Sequence, residues 1–170
     1  MTSTSRTTVG LISDTHGYLD PELVDIFDER ADRIIHAGDI GDPEILATLE
    51  EVAPTDAVRG NIDGGELRFE PLEQVLDIAG KKITVLHIAG SPKRPRKAAR
   101  ELLSRETPDV IVVGHSHIEV VGRVGDTLWI NPGAAGRHGF HQQRTAALLH
   151  ILDDGELKMD RIVLGDRSRQ

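Results

Sequence analysis

Apolar positions in this chain come as short strand-like runs alternating with helical spacing through its first two-thirds, and the last third reads as nearly all strand. The runs include Val9-Gly10-Leu11-Ile12, Ile34-Ile35, Ile83-Thr84-Val85-Leu86 and Val110-Ile111-Val112-Val113. Strands buried on both faces read this way, because neither side of the pleat meets water. Between the runs the spacing turns helical. Asp20-Pro21 supplies an N-cap and a proline at the first helical position, and Leu23, Ile26 and Phe27 follow on one face. Asp42-Pro43 repeats the device ahead of Ile45, Leu46 and Leu49, and Pro54 closes that helix before a strand near Asp56. A third helix is predicted over 95–105, with Ala98, Ala99, Leu102 and Leu103 as its apolar stripe. Strands at 74–78 and 82–87 flank a turn at Ala79-Gly80-Lys81. Later strands pair as 119–124 with 127–130, across Gly125-Asp126, and as 145–152 with 157–163, around Asp154-Gly155.

An α/β half followed by a β-rich half implies two sheets packed face to face with helices outside. The 170 residues suit one domain, expected over 9–165 between polar tails at 1–8 and 166–170. A chain of this size buries roughly 68–70% of its unfolded surface. Aromatic residues are only 3% of it, so the core must rest on Val, Ile, Leu and Ala. Cysteine is absent, which excludes disulfides, zinc–thiolate sites and thiol nucleophiles together. The net charge of −8 argues against a broad basic surface, so no stable nucleic-acid complex is expected. No apolar run approaches the ~20 residues of a membrane span, and Met1 to Thr8 lack the apolar stretch of a signal peptide. No membrane association is expected, and the cytoplasm is the expected location.

The chemistry lies where the runs end. Five predicted strands each lead into polar groups able to hold a metal: Asp14-Thr15-His16, Gly38-Asp39, Gly60-Asn61, His87, and Gly114-His115-Ser116-His117. In open α/β sheets the ligand crevice lies beyond the carboxyl ends of the strands. Two Asp, one Asn and four His can therefore surround one point. Imidazole, carboxylate and amide oxygen without sulfur suit Mn²⁺, Fe²⁺, Zn²⁺, Ni²⁺ or Co²⁺. Seven donors exceed what one ion needs and match two ions sharing a carboxylate.

This ordered set resembles the calcineurin-like metallophosphoesterases, closest to their small single-domain prokaryotic phosphodiesterase branch. The likeness runs from Ile12-Ser13-Asp14-Thr15-His16-Gly17 to Ile130-Asn131-Pro132-Gly133. It implies a four-layer αββα sandwich with two divalent metals at the strand ends, Mn most expected and Ni, Zn, Fe or Co as alternatives. It assigns one metal to Asp14, His16, Asp39 and His117 and the other to Asp39, Asn61, His87 and His115, with Asp39 as the bridge. The implied reaction is hydrolysis of a small or nucleotide-like phosphodiester by a hydroxide held between the ions. A phosphomonoesterase or pyrophosphatase on the same site, or a protein-binding scaffold of the same fold, is the alternative. Two positions depart from the family's pattern. Larger relatives carry a histidine after the Asn, where this chain has Ile62, and His87 is followed by Ile88-Ala89 before Gly90.

Other residues take lesser expectations. Asn61 could orient a phosphate oxygen as well as bind metal, and Arg59 is a candidate substrate-binding cation. His36 and His150 are expected to pack in or on the sheet. Asn131-Pro132-Gly133 is expected to support the site, and His138 and His141 to lie in a solvated loop. Lys93-Arg94-Pro95-Arg96-Lys97, with Arg100, is a basic run that could draw a polyanionic substrate. Exposed edge strands in the β-rich half leave a homo-oligomer open.

Overall fold

The computed structural model describes residues 5–168. Its first sheet takes strands from both ends of the chain: β1 (Arg6–Ile12), β2 (Arg33–His36), β3 (Thr55–Ala57), β9 (Gln143–Leu152) and β10 (Leu157–Asp166), in the order β10-β9-β1-β2-β3. The second sheet holds β4 (Glu73–Ile78), β5 (Lys81–Leu86), β6 (Val110–Val113), β7 (Val120–Val124) and β8 (Thr127–Asn131), in the order β4-β5-β6-β8-β7. Both sheets are mixed. β1, β2 and β3 are parallel to one another, as are β5, β6 and β8, and antiparallel strands complete the edges. The helices are α1 (Pro21–Arg30), α2 (Pro43–Val52) and α3 (Lys97–Glu106). Asp20 and Asp42 cap α1 and α2 through bonds from the Glu22 and Glu44 amides, as the Asp-Pro pairs predict.

Three apolar layers follow from the period of two along each strand. Val9, Leu11, Ile35, Val85, Val110, Val112 and Leu149 face inward and fill the space between the sheets. Their neighbours Ile12, Ile34, Ala146 and Leu148 face the other way, against Leu23 and Phe27 of α1 and Ile45 and Leu49 of α2. On the far side, Ile111, Val113 and Trp129 pack under Ala99 and Leu102 of α3. The result is an αββα sandwich. The continuous apolar runs belong to its central strands, as double burial requires.

Two features differ from the sequence expectation. Arg6, Thr7 and Thr8, expected as tail, belong to β1 and pair with Leu152, Ile151 and His150. Ladder bonds use backbone only, so the long β9 can hold polar residues that carry no hydrophobic signal. β10 likewise runs on to Asp166, past the expected boundary, through an irregularity between Val163 and Gly165. The remaining tail residues 1–4 and 169–170 lie outside the described residues. The final hairpin completes the first sheet, with β9 beside β1. β9 is buried on both faces along nearly its whole length, which requires a central place.

Candidate metal centre

The loops after β1, β2, β3, β5 and β6 meet at one end of the sandwich. Backbone bonds from Asp14 N to Gly38 O, His16 N to Asp39 O and Gly114 N to the His87 carbonyl tie them together. The approach is close. A Cβ on Gly60 would lie 2.1 Å from Asp39 N, and one on Gly114 would lie 2.2 Å from Ser13 Oγ. The glycines ahead of Asn61 and His115 are thus packing requirements of the neighbouring loop, as is Gly38 ahead of Asp39, where a Cβ would lie 2.7 Å from His87 Nδ1. Asp14, His16, Asp39, His115 and His117 have φ of 54°, 46°, 53°, 72° and 61°. Among described non-glycine residues, only Ala79 and Thr107 share this left-handed region. Such backbone costs about 1–3 kcal/mol per residue and gathers where function holds it in place.

The side chains form two groups whose donor atoms lie within 4.8 Å of one another: Asp14, His16 and His117, and Asp39, His87 and His115. Asp14 Oδ2 accepts bonds from Ser13 Oγ and the His115 amide, at 2.7 and 3.1 Å. Its Oδ1 faces Nε2 of His117 at 3.2 Å and of His16 at 3.8 Å. Neither Asp14 Oδ1 nor His16 Nε2 has a hydrogen-bond partner of sound geometry, and both are buried. Buried polar atoms seldom go unpaired, and a cation between them would satisfy both. Asp39 stands between the groups, with Oδ2 3.3 Å from His16 Nε2 and Oδ1 3.2 Å from His87 Nε2. Asn61 Oδ1 lies 3.1 Å from His87 Nε2 and 3.0 Å from His115 Nδ1. All seven sequence-predicted donors therefore converge.

The electrostatics fit a cation-binding pocket. Burial alone would raise the Asp14 and Asp39 carboxyls, but the surrounding imidazoles outweigh it and hold both well below the carboxylate range. The same carboxylates push His16 up to about 9, Asp14 contributing more than Asp39. Burial opposes a charge on His87, yet Asp39 and Asp14 raise it overall. His87 Nδ1 donates to Ala37 O at 2.7 Å, which leaves Nε2 to face the cluster. The Ile88-Ala89 departure does not disturb this: Ala89 packs beneath α3, and Ile88 lines an adjoining recess.

Several supports carried little sequence signal. Buried Asp63 accepts from the amides of Ile40, Gly41 and Gly60 at 2.9, 3.0 and 2.7 Å, stapling the Asp39 and Asn61 loops together. Asn131 Nδ2 donates to Gly114 O and Ser116 Oγ, holding the His115–His117 turn in the supporting role expected of it. His36 is packed as expected, with Nδ1 accepting from Gly38 N and Nε2 against Thr15 Oγ1, and burial drives its pKa down to about 3. His150 lies in the sheet between Thr8 and Asp160. The loop is exposed at His138, as expected of a solvated loop, and half-buried at His141, but it also reaches the site. Both line a cleft of about 480 Å³ over the two groups, His138 with its ring centroid 4.9 Å from that of His16. The turn at Asn131-Pro132-Gly133 redirects the chain back across the site, and no local pattern reports that. Arg59 lies outside this cleft, lines the adjoining recess and donates to Arg68 O at 2.9 Å. Arg94 and Arg96 line a third recess that shares His115 and Ser116 with the cleft.

A two-sheet sandwich with paired His/Asp clusters at its strand ends defines a metal-dependent phosphoesterase architecture. Residues 8–154 match the family model described as the calcineurin-like phosphoesterase superfamily domain, and the chain belongs to that superfamily. It is 38% identical over 134 residues to a probable metallophosphoesterase of Methanocaldococcus jannaschii, covering 74% of this chain and 67% of that one. Among solved structures it is similar to one titled as a novel archaeal phosphodiesterase, at 25% identity and a TM-score of 0.75, covering 93% of this chain and all (100%) of that one. A single-mutant Vps29 from Entamoeba histolytica shares the fold, with a TM-score of 0.72 at 19% identity, covering 94% of this chain and 100% of that one.

Proposed function

We propose that this protein is a binuclear metal-dependent phosphodiesterase acting on a small or nucleotide-like substrate. The observation that carries the reading is Asp39, whose two carboxylate oxygens each face a different histidine cluster. In this reading Asp14, His16, Asp39 and His117 hold one cation, and Asp39, Asn61, His87 and His115 hold the other. The orphaned Asp14 Oδ1 and His16 Nε2 support it. Nitrogen and oxygen donors without sulfur are compatible with Mn²⁺, Ni²⁺, Zn²⁺, Fe²⁺ or Co²⁺, and the family resemblance makes Mn²⁺ the first ion to test. When bound, such ions neutralise phosphoryl oxygens and activate water at neutral pH.

The chain's own residues do the rest. Asn61 Oδ1 faces His87 and His115, which leaves its amide NH₂ available to a phosphoryl oxygen in the cleft. Ile62, 46% exposed, joins Ile118 and Phe140 in lining the cleft with apolar surface beside the donors. No Lys or Arg is among the described lining residues. A singly charged diester with an apolar or planar substituent suits that lining better than a dianionic monoester. Ile62 also offers no proton to a departing alkoxide, so good leaving groups are favoured.

Turnover of bis(p-nitrophenyl) phosphate and p-nitrophenyl phosphate, each with Mn²⁺, Ni²⁺, Zn²⁺, Fe²⁺ and Co²⁺, tests the reading. Metal-dependent hydrolysis with the diester well ahead is expected. A preference for the monoester would overturn the diesterase assignment, and no turnover with any ion would overturn the enzyme.

A further inference from the structure

His141 is one of the imidazoles at the cleft that the proposed metal assignment does not use. It comes from the loop between β8 and β9, and its backbone is anchored by Arg167 Nε, which donates to His141 O at 2.7 Å. Its Nε2 lies 2.8 Å from Gly136 O, and its Nδ1 lies 3.2 Å from His117 Nδ1. The His117 and His141 ring centroids are 5.0 Å apart at an interplanar angle of 74°, so the contact runs edge to edge through these nitrogens and not by stacking.

The proton positions follow by elimination. A carbonyl oxygen only accepts, so His141 Nε2 must carry the hydrogen that points at Gly136 O. A neutral imidazole then presents a lone pair at Nδ1. That lone pair can accept only if His117 Nδ1 carries a proton. His117 Nε2 is left bare, and it is the atom that faces Asp14 Oδ1 at 3.2 Å. The reverse arrangement would put a proton on His117 Nε2, aimed at the place where a cation would sit.

We infer that His141 is a positioning residue that holds His117 in its Nδ1–H tautomer and so prepares the Asp14–His16–His117 cluster for a cation. It does so through a Gly136 carbonyl that needs no charge. His87 is prepared in the same manner by the Ala37 carbonyl directly, so the two clusters reach the same state by different routes. The Asp39–His87–His115 cluster gains nothing from His141. The metal part of the inference rests on the proposed function, whereas the tautomer part does not.

Two measurements on the full chain separate these. In ¹⁵N-histidine spectra of metal-free protein taken at alkaline pH, where the imidazole is neutral, His117 should appear as the Nδ1–H form. It should shift toward the Nε2–H form in His141→Ala and return in His141→Gln, whose amide can donate to Gly136 O and accept from His117 together. Calorimetric titration with Mn²⁺ should show one of two sites weakened about 10–100-fold in His141→Ala, the other unchanged, and recovery in His141→Gln. A His117 tautomer indifferent to residue 141 overturns the inference whatever the metal does. Correct tautomers with equal Mn²⁺ affinity in all three proteins overturn the preparation of the site. Wild-type protein that takes up no Mn²⁺ overturns the proposed function and with it the metal part, leaving the spectra to decide the tautomer part.

Discussion

At the scale of single residues, the site is a set of donors whose protons and charges are set by what lies behind them. His16 illustrates the consequence. Asp14 and Asp39 raise its pKa to about 9, so in metal-free protein it is protonated at neutral pH. A cation takes the lone pair that this proton occupies. The sign follows: apparent affinity should rise as pH climbs toward 9 and then level off, and binding at pH 7 should release a proton. Mn²⁺ calorimetry in buffers of different ionisation enthalpy measures that release directly. A binding heat independent of buffer would contradict the placement of His16 against the ion. In metal-free protein the folding linkage has the opposite sense. A raised pKa contributes stability that is complete below the unfolded value near 6.5 and fades as pH passes through about 9. Metal binding and apo stability should therefore move in opposite directions over that window.

At the scale of elements, the strands supply position and the loops supply strain. Five donors sit in left-handed backbone, and that is held only because neighbouring loops over-determine it. Asp63 is the clearest of these restraints, with three amide bonds onto two loops. Asp63→Ala should cost about 3 kcal/mol, because buried amides left without an acceptor lose about 1–3 kcal/mol each and water recovers part. Urea unfolding reads the loss, and the second-cluster Mn²⁺ affinity should fall alongside it. A variant as stable as the parent would show that the Asp39 loop holds itself. Asp63 was visible in the sequence as the end of Gly60-Asn61-Ile62-Asp63, but nothing local distinguishes a loop-stapling aspartate from a solvated one. The Asp-Pro caps were readable for the opposite reason: a cap and the amide it satisfies lie two residues apart.

At the scale of the whole molecule, a chain with net charge −8 repels polyanions except where local charge reverses the field. Arg94 and Arg96 provide one such place, lining a recess that meets the cleft at His115 and Ser116. The basic run is therefore beside the donors, though it stands apart from the apolar lining. Arg94→Glu with Arg96→Glu should raise KM about tenfold for a diester carrying additional phosphate groups and leave a simple aryl diester nearly unchanged. The salt dependence of the former should flatten. Equal KM values with an unaltered salt dependence would retire the recess as an electrostatic guide. No helix among the described residues is long and apolar enough to cross a membrane. The outer strands of the sheets are β10, β3, β4 and β7, and Lys158, Asp160 and Arg161 place charge along β10, a common guard against edge pairing.

The sequence alone marked the strands, a two-sheet sandwich with helices outside and the seven polar residues that converge at the strand ends, because each signal is short-range: an apolar run, a cap, a polar residue just past a strand end. Tertiary structure decided which sheet receives the final hairpin, which loops staple the donors, and that His138 and His141 return over the cleft. Those outcomes depend on contacts between residues far apart along the chain, where the deciding groups are backbone carbonyls and amides common to every residue. Such groups leave no mark in side-chain pattern, so only the folded chain reveals which imidazole holds another in place.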